Sequence, residues 1–112
     1  MLNLPTAGGV DVRIESVRIM TLPEPIRVYL SVTDEDGEET ALAPIRTGAL
    51  LPGPSGPSTW AEAILSELTA CVGPDPAGLD VRHLPRLLTG AEVRIRTIKT
   101  VDGSHVLIGV SR

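Results

Sequence analysis

The chain has 112 residues, 42% hydrophobic and 21% charged, a length and balance that fit one globular domain and exclude a two-domain enzyme. A net charge of −4, with Lys99 as the single lysine, argues against duplex nucleic acid, which needs clustered cations to displace counterions, so no nucleic-acid partner is expected. One cysteine, Cys71, excludes an internal disulfide and a cysteine-built zinc site, and no apolar run is long enough to span a membrane.

Residues 1–9 end in Ala7-Gly8-Gly9 and read as a flexible arm ahead of a single domain over 10–112. The first segment lacks a charged n-region and a signal-like apolar stretch, so the expected location is cytoplasmic with no membrane partner. From Val10 the apolar positions run Val10, Val12, Ile14 and then change phase to Val17, Ile19, which indicates a bulge near Glu15-Ser16 or two strand segments. Leu22-Pro23-Glu24-Pro25 reads as a short, stiff, extended connection. A second strand follows from Ile26 to Thr33.

Asp36-Gly37 and Asp102-Gly103 are each flanked by alternating apolar residues, the strongest short-range hairpin signal. As the centre of a type I′ turn, Asp36-Gly37 sets Val32 opposite Ala41, Leu30 opposite Ala43 and Val28 opposite Ile45, giving one apolar face. Five carboxylates surround that turn: Asp34, Glu35, Asp36, Glu38 and Glu39. A tight hairpin splays them apart, so the cluster reads as a solvated acidic tip rather than a calcium loop. Arg46 to Ser58, rich in Gly and Pro, reads as a long connection of the kind that often carries function.

Thr59 and Glu62 make a capping box for a helix whose apolar stripe is Ala61, Ile64, Leu65, Leu68 and Val72, stopped by Gly73-Pro74. Cys71, on that helix, reads as a small core hydrophobe rather than a reactive thiol. Asp80 caps a second helix through Val81, Leu84, Leu87 and Leu88, which Pro85 must kink or split. The last hairpin sets Val106, Ile108 and Val110 opposite Lys99, Thr97 and Ile95, puts Arg94 and Arg96 on the other face, and turns His105 to water opposite Thr100. The expected fold is α+β: an antiparallel sheet of two hairpins plus the first strand, packed on two helices, in the order β-β-β-α-α-β-β.

Chemical motifs are sparse. His83 and His105 stand on different elements without a ligand pair at metal spacing, and no serine sits in G-x-S-x-G. The Gly/Pro stretch ends in no lysine, so it is not a phosphate loop. No catalytic residue, no metal and no cofactor is expected. Candidate ligand-binding residues are Tyr29, Arg46, Trp60, Asp75 and His83, each with a plainer role as core edge, loop anchor or helix cap. Trp60 reads chiefly as a lid over the sheet edge near Ile64.

Ile14 to Leu84 resembles the N-terminal capping domain of the enolase superfamily, in its mandelate racemase and muconate lactonizing branch. Carrying the resemblance are Ile14-Glu15-Ser16-Val17, the strand Val28-Tyr29-Leu30-Ser31-Val32-Thr33 and the acidic turn Asp34-Glu35-Asp36-Gly37. Gly73-Pro74-Asp75-Pro76 with Leu79-Asp80-Val81-Arg82-His83-Leu84 is similar to that branch's G-x-D-P-x-D-I-E-x-L, with Ala77 and Gly78 as two extra residues. Ala41-Leu42-Ala43-Pro44 stands where the family usually has Gly-x-Gly-Glu, and the barrel with its lysine bases and magnesium carboxylates is missing. The resemblance therefore implies a fold and a surface, not an activity.

A capping fold without its barrel leaves apolar surface, which points to an interaction module that forms a homo-oligomer or binds a separate protein subunit. The rival reading is a small-molecule binder, or a small cyclase or isomerase, with a pocket between the sheet and the Gly/Pro loop.

Overall fold

The computed structural model describes residues 9–51, 59–73 and 75–112. The elements run β1 (Val10–Met20), β2 (Ile26–Asp34), β3 (Glu39–Ala41), β4 (Ile45–Thr47), α1 (Trp60–Val72), a 3-10 turn (Val81–His83), α2 (Leu84–Leu88), β5 (Glu92–Lys99) and β6 (His105–Ser111). The fold is α+β in the expected order, with the third strand divided into β3 and β4. Of the expected N-terminal arm only Gly9 lies among the described residues, and the centre of the Gly/Pro connection lies outside them.

One antiparallel sheet of six strands holds both hairpins, in the order β3-β2-β1-β5-β6, with β4 also on β2. The change of apolar phase in β1 is a bulge: Ile14 pairs with Val32 but Ser16 pairs with Ser31. An extra residue there keeps Val12 and Ile14 inward on one side of the bulge and Val17 inward on the other, and Val10–Arg13, ahead of it, pair with β5 on the opposite edge. Leu22–Pro25 is not extended as expected. It is a run of bends with cis peptide bonds before Pro23 and Pro25.

Both Asp-Gly turns depart from the type I′ expectation. That turn needs positive φ at both central residues, yet only Gly37 (φ 82°) and Gly103 (φ 90°) are positive, and no non-glycine residue is. Each loop has three residues instead, with Gly37 N donating to Asp34 O and Gly103 N to Thr100 O. The ladders slip by one residue as a result. Val32 faces Thr40, and Ser31 faces Ala41, so Leu42 points inward and Ala41 stays exposed. In the second hairpin Lys99 faces His105 and Thr97 faces Leu107, so Leu107 is the fully buried residue while Val106 and Ile108 are half-buried. His105 is thus set opposite Lys99, not Thr100.

One extra residue in each return strand then restores the register expected for the far half of each hairpin. Val28 faces Ile45, and Ile95 faces Val110. In the first hairpin the extra residue lies within Ala43-Pro44, which proline tolerates because it has no amide to donate. Ala43 N, turned away from β2, donates to His105 O at 2.8 Å, and Leu42 bridges His105 in the parallel sense. This contact joins the two ends of the sheet through β2, β1, β5 and β6. The connectivity is that of a five-stranded, partly open Greek-key barrel.

The helical segment covers the apolar interior. Thr59 Oγ1 accepts from Glu62 N at 3.1 Å and starts α1, which buries Ala61, Ile64, Leu65 and Leu68 against β6 and β4. Asp80 caps the next segment by accepting from Arg82 N, and Pro85 divides it as expected into the 3-10 turn and α2. Leu84 and Leu88 are fully buried, each worth about 1.5–3 kcal/mol of transfer free energy. The Gly/Pro connection begins later than expected: Arg46 and Thr47 belong to β4, Leu50 bridges Asp80, and Leu51 is buried with hydrogen bonds to Leu79 and Gly78.

Candidate functional site

Strand alternation places the candidate site on the outer face of the barrel. In β2, Val28, Leu30 and Val32 are buried, so Arg27, Tyr29, Ser31 and Thr33 face out. Beyond its bulge β1 buries Val17, which turns Arg18 and Met20 outward, and β4 buries Ile45 and Thr47, which turns Arg46 outward. The ladder then fixes the neighbours: Arg18 lies opposite Tyr29, Met20 opposite Arg27, and Arg27 opposite Arg46.

The Arg18 guanidinium stands 5.5 Å from the centroid of the Tyr29 ring, within cation–π range. Arg27 Nη2 donates to Leu22 O at 3.0 Å and Pro23 O at 3.3 Å, so the β1–β2 connection fixes its head, while its Nε is buried without a hydrogen-bond partner. Among the described residues the ion pairs are Arg13 with Glu15, Arg82 with Asp80 and Arg94 with Asp11. Arg18, Arg27 and Arg46 belong to none of them. At the opposite end of the same face Ser31 donates to Glu39, beside the acidic tip, where the Asp34 carboxylate accepts from Asp36 N and Glu38 N.

Charge is therefore segregated along β2. The five carboxylates of the first hairpin outweigh the excess that makes the chain −4; without them the remainder would carry a net charge of +1. A separate open depression of about 600 Å³ lies between the start of β1, the first turn and the start of β5, lined in part by Asp11, Arg13, Glu35 and Glu92. Two of its charged groups are held in ion pairs: hydrogen bonding from Arg94 lowers the Asp11 carboxyl, and Arg13 is hydrogen-bonded to Glu15, whose carboxyl it lowers.

Of the five residues singled out from sequence, the sheet brings Tyr29 and Arg46 onto one face, diagonal to each other across β2 and β4. Trp60 opens α1 and is 46% exposed. Asp75 is exposed and accepts from Ala77 N at 2.9 Å, a turn contact. His83 is exposed in the 3-10 turn, its amide donating to Asp80 O. The expected pocket beneath the Gly/Pro loop falls on residues outside those described. Sequence reasoning missed Arg18 and Arg27; the signal for both was their position one residue away from inward Val17 and Val28.

Other chemistry does not gather. Among the described residues no three His, Cys, Asp or Glu side chains are placed to hold a metal ion. Burial pushes the Cys71 thiol up, with Glu67 adding to the rise and Arg112 opposing it, which disfavours the reactive thiolate. No described helix is long and apolar enough to cross a membrane. No family model, curated protein or solved structure matches the chain, so the resemblance to the enolase capping domain finds no support in those comparisons.

Proposed function

We propose that the chain is a non-catalytic binding module that takes up single-stranded nucleic acid on the outer face of β1, β2 and β4. The observation that carries this reading is the grouping of Arg18, Arg27 and Arg46 on one face around Tyr29, none of them ion-paired among the described residues. Single strands are held by such a combination of cations along the backbone and an aromatic ring beneath a base. Greek-key barrels of this connectivity bind oligonucleotides and oligosaccharides on the corresponding face, beside the corresponding loop; that support is an analogy of fold. The expectation against nucleic acid rested on the summed charge, and it keeps its force for duplexes, whose two strands demand a broader basic surface.

The module reading agrees with the sequence expectation of an interaction protein but moves the surface.

Fluorescence anisotropy of a labelled oligothymidine tests the proposal. Binding should weaken with salt at a logarithmic slope of about −2, the value for three phosphates on a single strand. Tyr29→Ala should cost about 1–3 kcal/mol, and duplex of the same length should compete poorly. Equal binding by Tyr29→Ala and wild type, or no binding at low salt, would overturn it. Light scattering on the same samples reads self-association, the outcome the rival interaction reading requires.

A further inference from the structure

Arg27 and Arg46 are direct cross-strand partners on the outer face, and like charges placed directly opposite destabilise a sheet. Neither is relieved by an ion pair among the described residues. The carbonyls of Leu22 and Pro23 hold the Arg27 Nη2 beside the β1–β2 connection, on the side of Arg27 away from the acidic tip. Arg18 adds a third cation one strand away, diagonal to Arg27 and held over Tyr29.

We infer that Arg27 and Arg46 form a clamp for a terminal phosphate monoester of the bound strand, an inference that rests on the nucleic-acid reading and makes it more specific. An internal phosphodiester brings one negative charge and two free oxygens. A monoester brings about −1.5 to −2 and three acceptor oxygens, which matches two guanidiniums set opposite each other. The connection Thr21–Pro25 borders Arg27 through the Leu22 and Pro23 carbonyls, so the cationic track stops at a wall of backbone acceptors. A chain end fits such a place better than a continuing strand.

The test uses one oligothymidine of about twelve nucleotides, inside the range that a barrel of this size covers. It is prepared with a 5′-phosphate, with a 3′-phosphate, or with hydroxyls at both ends. One phosphorylated form should bind about tenfold tighter than the hydroxyl form, and which one identifies the end that is held. Arg46→Gln and Arg27→Gln should abolish that preference while leaving weaker binding of all three forms. Arg46→Glu, which turns the like-charge pair into an ion pair, should raise the melting temperature of the free protein while losing the preference. A merely structural pair of arginine stems would give no phosphate preference in the wild type. Equal binding of all three oligonucleotides by the wild type overturns the clamp and leaves the module reading standing; failure of all three to bind overturns both. A fall in melting temperature for Arg46→Glu removes the like-charge argument.

Discussion

The two hairpins turn alike and then diverge. Asp34, Asp36, Gly37 and Glu38 in the first occupy the positions of Thr100, Asp102, Gly103 and Ser104 in the second, and in both the side chain at the first position accepts from the amide of the last. Both ladders slip by one residue and recover it in the return strand. In the second hairpin the recovering residue is Ile108, and β6 runs on as one strand. In the first the recovery falls opposite Tyr29 at Ala43-Pro44, and the displaced Ala43 amide closes the barrel on His105. The same turn thus yields a plain ribbon or a strand shared between two neighbours, and the position of the extra residue decides which.

The largest effects should come from the inward leucines that the slipped registers create. Leu42→Ala and Leu107→Ala each remove a buried side chain and should cost about 2–5 kcal/mol in urea unfolding. Under the type I′ registers neither leucine would face the core, so values below about 1 kcal/mol would return both hairpins to the simpler turn. Deleting the extra residues separates the hairpins. Removal of Ile108 retains the flanking pairs, Thr97 with Leu107 and Arg96 with Gly109, and should cost about 1 kcal/mol or less. Removal of Ala43 also leaves the His105 carbonyl without its donor and should cost about 1–3 kcal/mol more. Equal costs would mean that the closing bond contributes nothing.

Those contrasts mark what a linear reading captures. The β1 bulge was legible because an extra residue changes the phase of a buried pattern, and the split at Pro85 because proline acts through local covalent geometry. The turn type was not legible: Asp-Gly suits both loops, and only the negative φ of Asp36 and Asp102 separates them. Nor was barrel closure, since the Ala43 amide chooses a partner 62 positions away and nothing local encodes that choice. The candidate face was half legible. Tyr29 and Arg46 stood out by type, but summed charge hid the separation of arginines from carboxylates that only the sheet lays out.

Gly37→Ala and Gly103→Ala probe what the hairpins share. A Cβ at either position would meet nothing within 4 Å, so any loss comes from the backbone alone. With φ of 82° and 90°, each should cost about 1–2 kcal/mol, and by similar amounts. A large inequality would show that one tip carries strain the other lacks.

The smallest expected effect depends on pH and belongs to the second tip. The Thr100 hydroxyl, with help from Ser104 N, hydrogen-bonds the Asp102 carboxylate and holds its pKa below the ordinary 3.8. A carboxyl lowered on folding adds stability that is complete above its unfolded value and disappears as pH falls through its lower folded value. Arg82 does the same at Asp80, whose pKa is lowered to about 2, so the overall acid sensitivity has at least these two sources. Asp102→Asn keeps an acceptor for the Thr100 hydroxyl and Ser104 amide but does not titrate. Thermal melts between pH 5 and 2 should therefore show the wild type losing more stability than Asp102→Asn below about pH 4, with the curves converging in acid. Parallel curves would mean that this tip is held by its backbone turn alone, as the glycine substitutions measure it.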